Sequence, residues 1–169
     1  MLLCQIVVEA AERWGGTVDK FIGDEALLFF GDPEPLADHA HRAIQCALEL
    51  QDRFDALRRS GALDALPPTG LKVGIHTGPI IVGTFGGGKR MDYSVFGHSV
   101  NVGARLCARG PEGGGTTISD VTRERAETNR ETGPTLPGAR AYVLLPRDPV
   151  VWREEDPVEV WDVEAVPAV

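Results

Sequence analysis

The chain of 169 residues carries 17 Lys and Arg against 25 Asp and Glu, a net charge of −8, with 43% hydrophobic and 25% charged side chains. These are the proportions of one ordinary globular domain, and they exclude a disordered tail, a collagen-like repeat and a coiled-coil rod. No apolar run approaches the roughly 18–20 residues that cross a bilayer, and no basic stripe marks a general nucleic-acid binder.

The opening MLLCQIVVEAAERW lacks a basic leader and is interrupted at Glu9, so it does not read as a signal peptide. Its spacing of Leu3, Ile6, Val7, Ala10, Ala11 and Trp14 predicts a helix over 3–14, stopped by Gly15-Gly16. Two short runs, 17–22 and 26–30, flank Gly23-Asp24 as a strand hairpin. A long helix is expected from Pro35 to Arg59, and Ser99 and Ser119 are expected to cap helices reaching about 108 and 128. Strands are expected at 71–75, 79–85, 91–96, 116–118, 139–145 and 158–163. The mixture is α+β in one domain spanning 1–169, with hairpins too short for parallel crossovers and a frayed tail at 165–169.

Charge is uneven: residues 148–169 hold seven acids against Arg153 alone. Cys4, Cys46 and Cys107 are odd in number and scattered, which fits reduced, mostly buried thiols of a cytoplasmic protein or of the cytoplasmic part of a larger one. His39 and His41 are expected on the solvent side of the long helix. The stretch 83–90, GTFGGGKR, almost spells a phosphate-cradling loop. It lacks the final Ser or Thr for Mg²⁺ and runs into a strand pattern instead of a helix, so a hairpin turn is the better reading.

Three further segments belong together: GGTVDKFIGDEALLFFGDP (15–33), LKVGIHTGPIIVGTFGGGKRMDYSVFGHSVNVGARL (71–106) and DPVEVWDV (156–163). In this order and spacing the chain resembles the catalytic domain of class III adenylate/guanylate cyclases over roughly residues 4–164. The most specific part is YSVFGHSVNVGARL. The resemblance implies a ferredoxin-like α+β cyclase fold with a mainly antiparallel sheet and helices packed on it.

It also implies roles for individual residues. Asp24, at the hairpin tip, is matched to one of two carboxylates that hold two Mg²⁺ or Mn²⁺ ions at a triphosphate. Lys20 and Ser94 match the base-reading positions; a cation donor at Lys20 suits the adenine N1 acceptor, so ATP is favoured over GTP. Asn101 and Arg105, one helical turn apart, match the residues that position the ribose and stabilise charge at the α-phosphate. Alone, each of these residues reads as a turn aspartate, a surface lysine or an exposed helix face. Neither His76 nor His98 matches a catalytic histidine, and Arg153 falls about one residue away from the family's last phosphate-binding lysine.

Family members begin with a strand resembling F-x-D-[IV]-x-G-[FS]-[ST], which carries the other metal carboxylate. These 169 residues contain no such stretch, so the fold is expected to be N-terminally incomplete. The implied activity is conversion of ATP to 3′,5′-cyclic AMP and pyrophosphate in signal transduction, at sites formed across a head-to-tail homodimer. The alternative is a cyclase-homology module that dimerises or binds nucleotide without turnover.

Overall fold

The computed structural model describes residues 2–65, 67, 69–87, 90–134, 136–151 and 157–167. Lys89, Arg153 and Asp156, named above, lie outside the described residues, as does the end of the expected frayed tail. In chain order the elements are α1 (Leu2–Trp14), β1 (Gly16–Ile22), β2 (Glu25–Phe30), α2 (His39–Arg59), β3 (Lys72–Ile75) and β4 (Ile81–Gly87). Then follow β5 (Arg90–Phe96), α3 (His98–Ala108), β6 (Gly115–Ser119), α4 (Asp120–Thr132), β7 (Tyr142–Val150) and β8 (Val158–Ala165).

A four-stranded sheet in the order β3-β6-β8-β7 forms the base, beside the separate hairpins β1-β2 and β4-β5. Alternation along β8 divides the core. Val163, Trp161 and Ala165 join Ala40, Ile44 and Leu48 of α2 and Ala126 of α4, whereas Val158 and Val160 join Val102 and Leu106 of α3. The sheet is therefore covered on both faces. The same α2 reaches sideways, where Cys46 and Leu50 meet Ala10 and Trp14 of α1 and Leu28 and Phe30 of β2. One helix thus seats both the large sheet and the β1-β2 hairpin. Gln45, 1% exposed in the middle of α2, is satisfied by the segment before β7: its Nε2 donates to Arg140 O at 2.9 Å and its Oε1 accepts from Arg140 N at 2.7 Å.

Several boundaries depart from the sequence expectation for identifiable reasons. Helix α2 starts at His39 instead of Pro35: a turn precedes it, His39 N donating to Leu36 O at 3.3 Å, and Asp38 at the N-cap accepts from Arg42 Nε at 2.7 Å and makes no side-chain cap. Ser119 caps α4 as expected, accepting from Thr122 N. Ser99 does not cap α3; it is 7% exposed and donates to Pro79 O at 2.9 Å, while Gly97 takes the cap position. Strand β7 runs through Pro146 and Pro149, which an edge strand with one neighbour tolerates. The parallel pair β3–β6 was not anticipated from the short hairpins; the crossover instead includes β4, β5 and α3. The stretch 83–87 lies in β4 and Arg90 opens β5, so the near-match to a phosphate loop leads into a strand and not a helix.

Candidate active site

The β4-β5 hairpin pairs Ile81 with Phe96, Gly83 with Ser94 and Phe85 with Asp92, which puts these residues on one face. Phe85 and Phe96 pack edge to face with centroids 4.4 Å apart. Between that aromatic pair and β1 stands the polar centre of the site. Lys20 Nζ donates to Ser94 Oγ at 2.8 Å and lies 5.9 Å from the Phe96 ring centroid. On the opposite face, Tyr93 packs on Phe29 with centroids 6.5 Å apart, and its hydroxyl donates to Asp32 Oδ1. That bond raises the Tyr93 phenol above its usual range. Residues 74 positions apart in sequence, Lys20 and Ser94, are brought together by two hairpins touching side by side.

A third member of this centre escaped the sequence reading. Val18 pairs with Leu28 and Lys20 with Leu27, so Asp19 is an extra residue in β1, a bulge. Its side chain has no exposed surface, and Oδ2 lies 3.3 Å from Lys20 Nζ and 3.1 Å from Ser94 Oγ, which donates to it. Its Oδ1 is buried without a hydrogen-bond partner. In a regular strand Asp19 and Lys20 point to opposite faces. The one available signal was two adjacent charges, Asp19-Lys20, interrupting an otherwise apolar run, which is unusual for a half-buried strand.

Asn101 and Arg105 share α3, with Asn101 exposed and Arg105 half-buried, while Val102 and Leu106 are buried at 2% and 0%. Two glycines allow this placement. At Gly74 of β3 a Cβ would stand 2.2 Å from Cys107 N and 2.4 Å from Gly103 O, so α3 can lie directly on the strand only because no side chain intervenes. Gly97 holds φ at +147° at the turn from β5 into α3, a conformation L side chains rarely adopt. Asp24 sits exposed in the turn after Gly23, outside β1. Strand β1 ends at Ile22, so strand alternation does not relate Asp24 to Lys20.

Among the described residues no three His, Cys, Asp or Glu side chains converge as a metal cage. One exposed carboxylate at Asp24 suits a hydrated Mg²⁺ or Mn²⁺ that draws its other oxygens from water and a triphosphate. A pair of ions does not fit this donor set.

Three of the four histidines, His39, His41 and His76, are half-buried, and His98 is exposed. His76 Nδ1 lies 2.8 Å from Ser119 Oγ, and burial, with His98 nearby, lowers its pKa. His39 and His41 are only partly exposed, less than expected of a solvent-side position; burial lowers both pKa values, and His41 Nδ1 lies 3.1 Å from Tyr142 Oη. All three cysteines are free, yet Cys4 is exposed, contrary to expectation, while burial pushes the Cys46 thiol up to about 12.

The fold and these segments define a nucleotide cyclase domain. The adenylate and guanylate cyclase catalytic domain family matches residues 14–133, and the chain belongs to that family. It is 34% identical over 98 residues to adenylate cyclase 1 of Rhizobium meliloti (strain 1021), a match covering 58% of this chain and only 15% of that protein. The adenylyl cyclase CyaB of P. aeruginosa superposes with a TM-score of 0.82 at 25% identity, over 98% of this chain and 80% of that one. The guanylyl cyclase Cya2 superposes with a TM-score of 0.74 at 30% identity, over 98% of this chain and 78% of that one. No helix among the described residues is long and apolar enough to cross a membrane.

Proposed function

We propose that this cyclase domain uses ATP, forming 3′,5′-cyclic AMP and pyrophosphate in intracellular signalling. The observation that carries the choice of base is the 2.8 Å contact between Lys20 Nζ and Ser94 Oγ. An ammonium has three donors and no acceptor. With one donor on Ser94 and one toward Asp19, the third is available to the N1 of adenine, an acceptor; guanine carries a hydrogen there and is repelled. Asn101 orients the ribose. Arg105 offers its planar fork to the α-phosphate as the 3′-hydroxyl gives its proton to water, its oxygen bonds to phosphorus and the bridging oxygen leaves with pyrophosphate. Asp24 holds one divalent cation, Mg²⁺ or Mn²⁺, whose charge offsets that of the triphosphate.

The reading takes the two sets of groups from two copies arranged head to tail, Asp24 from one subunit and Lys20, Ser94, Asn101 and Arg105 from the other. Incubating the chain with Mn²⁺ and ATP is expected to yield cyclic AMP, lost in Asp24→Ala and much reduced in Lys20→Glu. The second reading is a module that binds nucleotide without turnover. Bound ATP with no cyclic product in the wild type selects that reading instead.

A further inference from the structure

Ser94 stands at a position that the resemblance assigns to base reading, yet it is only 2% exposed. Its hydroxyl is engaged inside the protein. Its one hydrogen goes to Asp19 Oδ2 at 3.1 Å, and its oxygen accepts from Lys20 Nζ at 2.8 Å. The member of this trio that reaches the surface is Lys20, whose side chain is 41% exposed, while that of Asp19 has no exposed surface.

An ammonium has three donors, which diverge tetrahedrally. One goes to Ser94 Oγ and one toward Asp19 Oδ2 at 3.3 Å. Because these two acceptors also bond each other, Nζ, Oγ and Oδ2 close a triangle, and the third donor points away from both. A surface lysine ordinarily samples many conformations of its long stem, and immobilising it when a ligand arrives weakens binding. Here the ammonium is immobilised before any ligand binds.

The acceptors that hold it are buried and come from two hairpins, Asp19 from β1 and Ser94 from β5. Neither can follow the lysine outward. The bulge makes the arrangement possible: adjacent residues of a regular strand point to opposite faces, whereas the extra residue in β1 lets Asp19 and Lys20 both meet Ser94. The other oxygen of Asp19, Oδ1, is buried with no hydrogen-bond partner among the described residues. That burial costs stability, which marks Asp19 as placed for the cation beside it and not for the strength of the fold.

We propose that Asp19 and Ser94 are positioning residues, a buried seat that directs the Lys20 ammonium at N1 of adenine, and that neither of them touches the base. The inference rests on the ATP-site reading above and deepens it.

Two nucleotides separate the atoms concerned: 1-deaza-ATP has C–H in place of N1, and purine riboside 5′-triphosphate lacks the 6-amino group. Dissociation constants are measured with Mn²⁺ by competition against a fluorescent ATP analogue. Wild-type protein is expected to bind ATP about tenfold or more tighter than 1-deaza-ATP, the loss of one hydrogen bond to a charged group. Asp19→Ala is expected to bring that ratio below about threefold, whereas Asp19→Asn, which keeps a carbonyl oxygen at the seat, retains most of it. Ser94→Ala is expected to lower the same ratio and to leave the preference for ATP over purine riboside 5′-triphosphate at its wild-type value. In a Lys20→Met background, Asp19→Ala is expected to cause no further loss of ATP affinity. An equal loss with and without Lys20 is what a merely structural role gives, and it overturns the inference. So does a 1-deaza-ATP ratio unchanged in Asp19→Ala, or a 6-amino preference that disappears in Ser94→Ala. If Asp19→Ala gives no cooperative thermal transition, the two ratios in Ser94→Ala decide. Wild-type protein that binds ATP and 1-deaza-ATP alike overturns the ATP-site reading itself, whereas a wild-type ratio kept in both single variants overturns only the seat.

Discussion

At Arg105 the chemistry and the packing can be separated, because its neighbours in α3, Val102 and Leu106, carry the burial while Arg105 is half-exposed. Truncating it therefore leaves the helix seated. A guanidinium that acts on charge developing at the α-phosphate contributes mainly in the transition state. Arg105→Ala is expected to lower kcat by about 10²–10³-fold, the loss typical for one such donor, with KM changed little. Steady-state kinetics with ATP checks this, and a raised KM with normal kcat would instead make Arg105 a ground-state binding group. Lys20 and Ser94 were singled out through family resemblance alone; as bare residues they are an ordinary lysine and an ordinary serine. Asp19 left only a faint trace, two adjacent charges in an otherwise apolar run. Its burial depends on a bulge, and a bulge is a property of register between strands, which one strand's sequence does not contain.

Elements were legible where periodicity is strong and blurred where tertiary contacts override it. Helix α1 and the strands β1, β2, β3 and β5 fall within a residue or two of their expected ends, since each has a clean apolar pattern and a glycine or turn beside it. The start of α2 and the extent of β7 were misread because a turn at 36–39 and an edge position are features of the fold, not of local propensity. The parallel β3–β6 pair joins segments 40 or so residues apart in sequence, and only the close seat of α3 on β3 lets the crossover pack. Gly74 is what permits that close seat. Gly74→Ala sets a methyl group against the backbone of Gly103 and Cys107, which cannot rotate away. Overpacking of this kind costs about 1–3 kcal/mol, and each kcal/mol lowers the Tm of a domain this size by roughly 2–4 °C. Because the displaced helix carries Asn101 and Arg105, kcat is expected to fall in parallel with the melting temperature. A lowered Tm with full kcat would show that α3 shifts without moving the site.

For the whole molecule, the apolar surface is unevenly spread. Phe21 and Ile22 of β1 and Ile81, Phe85, Met91, Tyr93 and Phe96 of β4 and β5 are exposed, between 37% and 66%, around the same hairpins that hold Lys20 and Ser94. Large apolar side chains clustered beside a site are the mark of a surface that another molecule covers. The proposed head-to-tail pairing covers it with a second copy, so no single chain holds a complete set of groups. That arrangement makes a prediction that no intramolecular site can meet. Asp24→Ala and Arg105→Ala are each expected to be nearly inactive alone. In a mixed dimer, however, one of the two sites takes Asp24 from the Arg105→Ala chain and Arg105 from the Asp24→Ala chain, and is whole; the other site has lost both. With equal amounts and random exchange, half the dimers are mixed, so about a quarter of wild-type activity should return on mixing. Cyclic AMP formation after the two variants are co-incubated measures it directly. If each chain held its own site, mixing would restore nothing. Ile81→Glu, placed on the exposed face of the hairpin, supplies the control: a charge there should weaken pairing, abolish the recovery and make specific activity rise with protein concentration.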